Sequence, residues 1–132
     1  MVAFYCYDDG KGRLDADGDR PNLWDRWYAA QNKQVRARHD TVLRMLASIT
    51  IWQDPFFHGL GGKGIEQILI HKDRQWRILG YRNGSLTEFT VVGTCYHKDN
   101  RYYPQEAPRT AERIMNEILK GSAERIACEP PE

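Results

Sequence analysis

Gln75-Trp76-Arg77-Ile78-Leu79-Gly80-Tyr81, then Asn83-Gly84, then Leu86 onward through Phe89-Thr90-Val91-Val92-Gly93-Thr94-Cys95-Tyr96, is the stretch that decides the fold. Asn-Gly between two β-prone runs is the strongest short hairpin signal, because both residues tolerate the positive φ that a tight two-residue turn demands. In the first run Trp76, Ile78 and Gly80 share one face, while Gln75, Arg77, Leu79 and Tyr81 share the other. The second run is long, and Gly93 marks a place for a bulge or bend. Just upstream, Ile65 to Ile70 reads as a further strand, joined to Gln75 through His71-Lys72-Asp73-Arg74. Three strands in this order make an antiparallel meander.

Working outward, Val2 to Tyr7 is a short β-prone run ending at Asp8-Asp9-Gly10, which is turn chemistry. Residues 8–22 are polar and rich in Gly and Asp, and they read as a long loop. Leu23, Trp24, Trp27 and Tyr28 then recur at helical spacing, with Asn22 placed to cap them. A second helix carries the stripe Val35, His39, Val42, Leu43, Leu46 and Ile49, and Asp54-Pro55 is expected to stop it. After Pro104 and Pro108, a last helix has Ala111, Ile114, Met115, Ile118 and Leu119 on one side and Gly121 as its terminator. The order predicts one α+β domain over 1–132. It is an antiparallel sheet, made of the N-terminal strand plus the meander, with two N-terminal helices and one C-terminal helix packed mainly against one face. The segment 122–132 is expected to be a loose tail.

A chain of 132 residues has room for one core, and 41% apolar with 28% charged residues suits a folded chain rather than a disordered one. No run approaches the roughly 18 apolar residues of a membrane span. The beginning of the chain shows no basic segment followed by a cleavable apolar one. The three cysteines, Cys6, Cys95 and Cys128, have neither metal-ligand spacing nor a disulfide framework, so a cytoplasmic location is expected. The net charge of +1 is unevenly spread: residues 1–57 are neutral, 58–103 carry +3 and 104–132 carry −2. A positive middle can hold a local anion site without a strong field from the whole molecule.

Several motifs fail on their own chemistry. Asp15-Ala16-Asp17-Gly18-Asp19 opens like a calcium loop, but Arg20 stands where glycine is needed and Arg26 where a bidentate glutamate is needed. Gly59-Leu60-Gly61-Gly62-Lys63-Gly64 has dinucleotide-site spacing, yet a helix is expected before it and a strand after it, the reverse of what that site requires. Its glycines serve a sharp turn, with Lys63 and the loop amides open to an anion. His39, His58, His71 and His97 form no metal-binding pair, and no serine sits in a nucleophile elbow. No metal and no cofactor are expected.

What survives is a clustered cationic and aromatic set: His71, Lys72, Arg74, Arg77, Arg82, Tyr96, His97, Lys98, Arg101, Tyr102 and Tyr103. Cations hold a phosphate and stabilise a pentacovalent transition state, and tyrosines give stacking planes and hydroxyl donors. Imidazole moves a proton near neutral pH. Because RNA carries its own nucleophile in the 2′-hydroxyl, such a set suits metal-free cleavage. The expectation is one pocket in which Arg77, His97, Lys98, Arg101 and Tyr103 act on the phosphodiester. Lys63, Lys72, Arg74, Arg82, Tyr96 and Tyr102 are expected to bind RNA around it.

Gly64 to Ile70, Gln75 to Tyr81 and Phe89 to Lys98, followed by Pro104 and a helix carrying Ala111, resemble the RelE/HigB superfamily of bacterial toxins, nearest its phage-derived HigB-like branch. The resemblance covers about residues 40 to 119. It implies a small RelE-like α+β fold, a cognate antitoxin protein, and cleavage of messenger RNA on the ribosome as the toxin of a type II toxin–antitoxin system. Arg77 takes the place of the family's strand arginine, and His97-Lys98 that of its paired lysines. The chain departs from the pattern in its near-neutral charge, its histidine in the basic pair, its acidic 8–19 segment and its aromatic first helix. The alternative is a non-enzymatic protein of the RelE/ParE fold that binds a protein target such as gyrase, or a repurposed phage protein.

Overall fold

The computed structural model describes residues 2–8, 23–49, 51–60, 64–85 and 87–128. Its strands are β1 (Ala3–Asp8), β2 (Phe57–Gly59), β3 (Glu66–Lys72), β4 (Arg74–Tyr81), β5 (Glu88–Lys98), β6 (Arg101–Tyr103) and β7 (Glu124–Ala127). Its helices are α1 (Leu23–Ala29), α2 (Lys33–Ser48) and α3 (Ala107–Leu119). One mixed, mostly antiparallel sheet runs β2-β3-β4-β5-β1-β7, with β6 also paired to β5.

The meander forms as expected. Asn83 and Gly84 turn it with φ of 49° and 80°. Leu79 pairs with Gly93 and Gly80 with Val91, so Val92 is the extra residue of a bulge beside Gly93. The eleven residues of β5 serve two neighbours on one edge: Glu88 to Val91 pair with β1, and Tyr96 to Lys98 pair with β6. β1 joins the sheet parallel to β5 rather than antiparallel.

The expectation of helices on one face is overturned. α1 and α2 cover the face carrying Phe4, Ile68, Ile70, Trp76, Ile78, Phe89 and Val91. α3 covers the other, with Leu79, Tyr81, Val92 and Cys95 packed on Ala111, Ile114 and Met115. A sheet covered on both sides needs unbroken apolar runs in its central strands. β3 and β4 have them: Ile68 to Ile70 and Ile78 to Tyr81 are buried without interruption, and Gln67 before the first run is buried too.

α2 starts at Asn32, whose side chain accepts from the Val35 N–H. It stops at Ser48, well before Pro55, where the Trp52 indole N–H caps the Leu46 carbonyl at 2.8 Å and Ser48 Oγ bonds the Met45 carbonyl. Ile49 therefore leaves the helical stripe and is exposed. In α3, Ala111, Ile114 and Met115 are buried, but Leu119 is exposed; Gly121 follows with a φ of 84°. A strand, β2, which ends at Gly59, rather than a helix precedes the glycine run, and β3 follows from Glu66.

Two corrections concern the ends of the chain. Residues 124–127 are not loose but form β7, antiparallel to β1. Cys6 and Cys128 form a disulfide, although 122 positions separate them. A spacing that long has no local signature, and pairing of β1 with β7 is what brings the two sulfurs together. Cys95 remains a free, buried thiol whose pKa burial pushes up to about 12.

Candidate nucleic-acid interface

β4, β5 and β6 end together, and the side chains there follow from register. Trp76 stands opposite Tyr96, and Tyr96 opposite Tyr103. Lys98 stands opposite Arg101 across a two-residue turn, Asp99-Asn100, whose φ values of 54° and 61° suit residues that tolerate the left-handed region. Strand alternation puts Arg74, Trp76, Tyr96, Lys98, Arg101 and Tyr103 on the α1–α2 face.

These groups make a layered surface. The Arg74 guanidinium sits 4.3 Å from the centre of the Tyr96 ring, and Tyr96 stacks on Tyr103 at 5.1 Å with the planes 10° apart. Trp76 meets Tyr96 edge-on at 5.9 Å, its indole N–H donates to the Lys72 carbonyl at 3.0 Å, and Trp27 of α1 abuts it at 5.3 Å. Tyr103, 37% exposed, is the outermost ring of the stack. Lys72, Arg74, Lys98 and Arg101 are exposed at the rim. Among the described residues, none of these four cations has a carboxylate within 4.0 Å.

A groove of about 480 Å³ crosses the strand ends, lined by Asp73, Arg74, Gln75, Tyr96, His97, Lys98 and Asp99. His97 and Gln75 come from the α3 face, and the others reach it from the turns or from the α1–α2 face. The imidazole, a guanidinium and an ammonium thus share one opening. Asp73 and Asp99 also line it, so four cations against two carboxylates leave this end of the sheet at a formal +2.

Not every expected residue arrives there. Arg77 lies on the α3 face beside Cys95 and outside the groove, half-buried. Its guanidinium donates to the Trp76 carbonyl and to Gln75 Oε1, both at 3.3 Å. Burial lowers its pKa, an effect opposed by Tyr102 and Cys95, and it remains a cation at any physiological pH. Tyr102 crosses the same face, donating to the buried Gln67 at 3.1 Å while its ring packs edge-on against His97 at 5.0 Å.

Arg82 is a structural cation. It clamps Glu66 with bonds of 2.8 to 3.3 Å and lies 4.6 Å from the Phe57 ring centre, at the opposite end of β4. Lys63 falls outside the described residues. The single pocket holding both Arg77 and Lys98 is therefore not formed, because neighbouring strands put them on opposite sides of the sheet. Sequence reading passed over Asp73, Gln75 and Asp99. The available signal was the pair of tight turns, Asp73 and Asp99-Asn100, which bring both hairpin tips to the same rim.

Among the described residues no three His, Cys, Asp or Glu side chains are grouped to hold a metal ion, and no helix is long and apolar enough to cross a membrane. Comparison with family models, with curated proteins and with solved structures yields no match.

Proposed function

We propose that this chain is an RNA-directed toxin with a RelE-like fold that grips single-stranded RNA at the β4–β6 end of its sheet and cleaves it without a metal. The observation that carries the reading is the Arg74–Tyr96–Tyr103 stack, with Lys98 and Arg101 beside it and, among the described residues, no carboxylate within 4.0 Å of these cations. Stacked rings are sequence-tolerant platforms for unpaired bases, and unpaired rim cations suit the phosphates between them. The order of strand, two helices, meander and helix supports the RelE-like assignment.

In this reading the 2′-hydroxyl oxygen attacks the adjacent phosphorus while His97 takes its proton. The bond from phosphorus to the 5′-oxygen breaks, leaving a 2′,3′-cyclic phosphate and a 5′-hydroxyl protonated by solvent. Arg74 and Lys98 stabilise the charge that builds on the phosphorane oxygens, and Tyr103 carries a flanking base. Arg77 acts one step back, holding Gln75 at the floor of the groove. The partners are a cognate antitoxin and the translating ribosome with its messenger RNA, in the cytoplasm; no cofactor takes part.

Induced expression followed by mapping of transcript 5′ ends tests the proposal. Wild-type chain gives codon-phased breaks and growth arrest, and Arg74→Ala with Lys98→Ala abolishes both while the soluble protein keeps its circular dichroism. Arrest with intact transcripts overturns the reading in favour of a protein target such as gyrase. Undiminished cleavage by the double variant overturns the site.

A further inference from the structure

β7 is held to the molecule differently from every other strand. Of its four residues only Ile126 is half-buried, and none contributes to either core. Four ladder positions join it to β1, and Arg125 pins it: its guanidinium donates to Thr90 Oγ1 at 2.9 Å and to Glu88 Oε1 at 3.2 Å, over the Tyr5 ring at 4.0 Å. The remaining tie is covalent. Cys6 is fully buried against the α1–α2 core, whereas Cys128 is half-buried beside it, with its N–H on the Phe4 carbonyl at 3.0 Å. The rest of the sheet is packed by the two cores.

We infer that the Cys6–Cys128 disulfide is a reversible redox clasp that decides whether β7 stays on the sheet. Disulfides in a reducing compartment are mostly transient and sensing, whereas oxidising conditions preserve them. A dithiol reductant attacks the sulfur of Cys128, the more reachable of the two, forming a mixed disulfide there and expelling the Cys6 thiolate. The second thiol of the reductant then releases Cys128. Two electrons and two protons pass to the protein, and the reductant leaves as its own disulfide. Cys6 remains behind as a small buried thiol that fits the apolar core, so the sheet survives the reaction. β7 then keeps its ladder, the Cys128 N–H bond to the Phe4 carbonyl and the Arg125 contacts, and its opening free energy falls toward that of a fraying terminus.

Amide hydrogen exchange on the intact chain, oxidised and after dithiothreitol, tests the clasp. Reduction is expected to speed exchange of the amides at 124–128 at least tenfold, leave β3, β4 and β5 protected, and be reversed by oxidised glutathione. Cys128→Ser is expected to exchange like the reduced protein. Equal protection of β7 in both states overturns the inference, as does protection of β7 in Cys128→Ser. Loss of protection across the whole sheet on reduction overturns it too, because the bond is then a staple for the entire fold. Two free thiols at 6 and 128 after exhaustive oxidation overturn it outright.

Discussion

His39 shows how one side chain sets a pH limit. It is fully buried among Trp24, Trp27 and Trp76, its Nδ1 lies 2.8 Å from the Val35 carbonyl, and its Nε2 has no hydrogen-bond partner among the described residues. A carbonyl only accepts, so the proton sits on Nδ1 and Nε2 is a bare buried acceptor. Burial holds the pKa of this ring below the ordinary 6.5, against the weaker opposing effects of the Val35 carbonyl and Asp40. Below that ordinary value the unfolded chain binds a proton that the folded chain refuses, so stability is full above pH 6.5 and falls as the pH drops. The melting temperature is expected to fall between pH 7 and pH 5, and His39→Leu to flatten that decline; an unchanged slope contradicts the assignment. Gly80 is a second exacting position. A Cβ there would overlap the Thr90 backbone oxygen and the Phe89 ring, neither of which can swing away. Gly80→Ala is expected to cost about 2–3 kcal/mol in denaturant unfolding, and a cost near zero contradicts this packing.

At the scale of elements, the hairpin of β5 and β6 carries the proposed stacking platform. Tyr103→Ala is expected to weaken binding of a short single-stranded RNA by about 1–3 kcal/mol, the worth of one stacked base, with little change in stability because the ring is partly exposed. Equal affinity in a fluorescence titration would remove Tyr103 from the site. β6 also shows where sequence reading falls short. Asp99-Asn100 between Tyr96-His97-Lys98 and Arg101-Tyr102-Tyr103 is a weaker hairpin signal than Asn83-Gly84, having no glycine, and a three-residue strand is too short for alternation to register. β7 has the same handicap, and its disulfide depends on an encounter of the chain ends that local pattern does not encode. The meander, the bulge beside Gly93 and the apolar stripe of α2 were all legible, because period and turn chemistry decide them. Two-sided burial was missed: sequence reading puts the helices mainly on one face, whereas the buried runs of β3 and β4 take α3 on the face opposite α1 and α2.

Over the whole molecule, that three-layer arrangement splits the cationic and aromatic residues of 72–103. Sequence proximity placed Arg77 with Lys98, and the pleat of neighbouring strands separates them. Arg74 shares the α1–α2 face with Lys98, and His97 joins them only because a groove crosses the strand ends, where both faces meet. The net charge of +1 makes the field of the molecule weak, so attraction of RNA has to be local to this rim. With three or four cations neutralising phosphates, the logarithm of the affinity is expected to fall with the logarithm of salt at a slope of about −2 to −3. Arg74→Ala is expected to reduce that slope by about 0.7; an unaltered slope in a salt series would show that Arg74 meets no phosphate. The most direct measurement is an amide chemical-shift titration of the full chain with a 2′-O-methyl RNA oligomer, which binds but lacks the nucleophile. Shifts concentrated at 72–76 and 96–103 are the expected result. Absence of binding, or shifts centred on α3 and its flanks, would contradict the account.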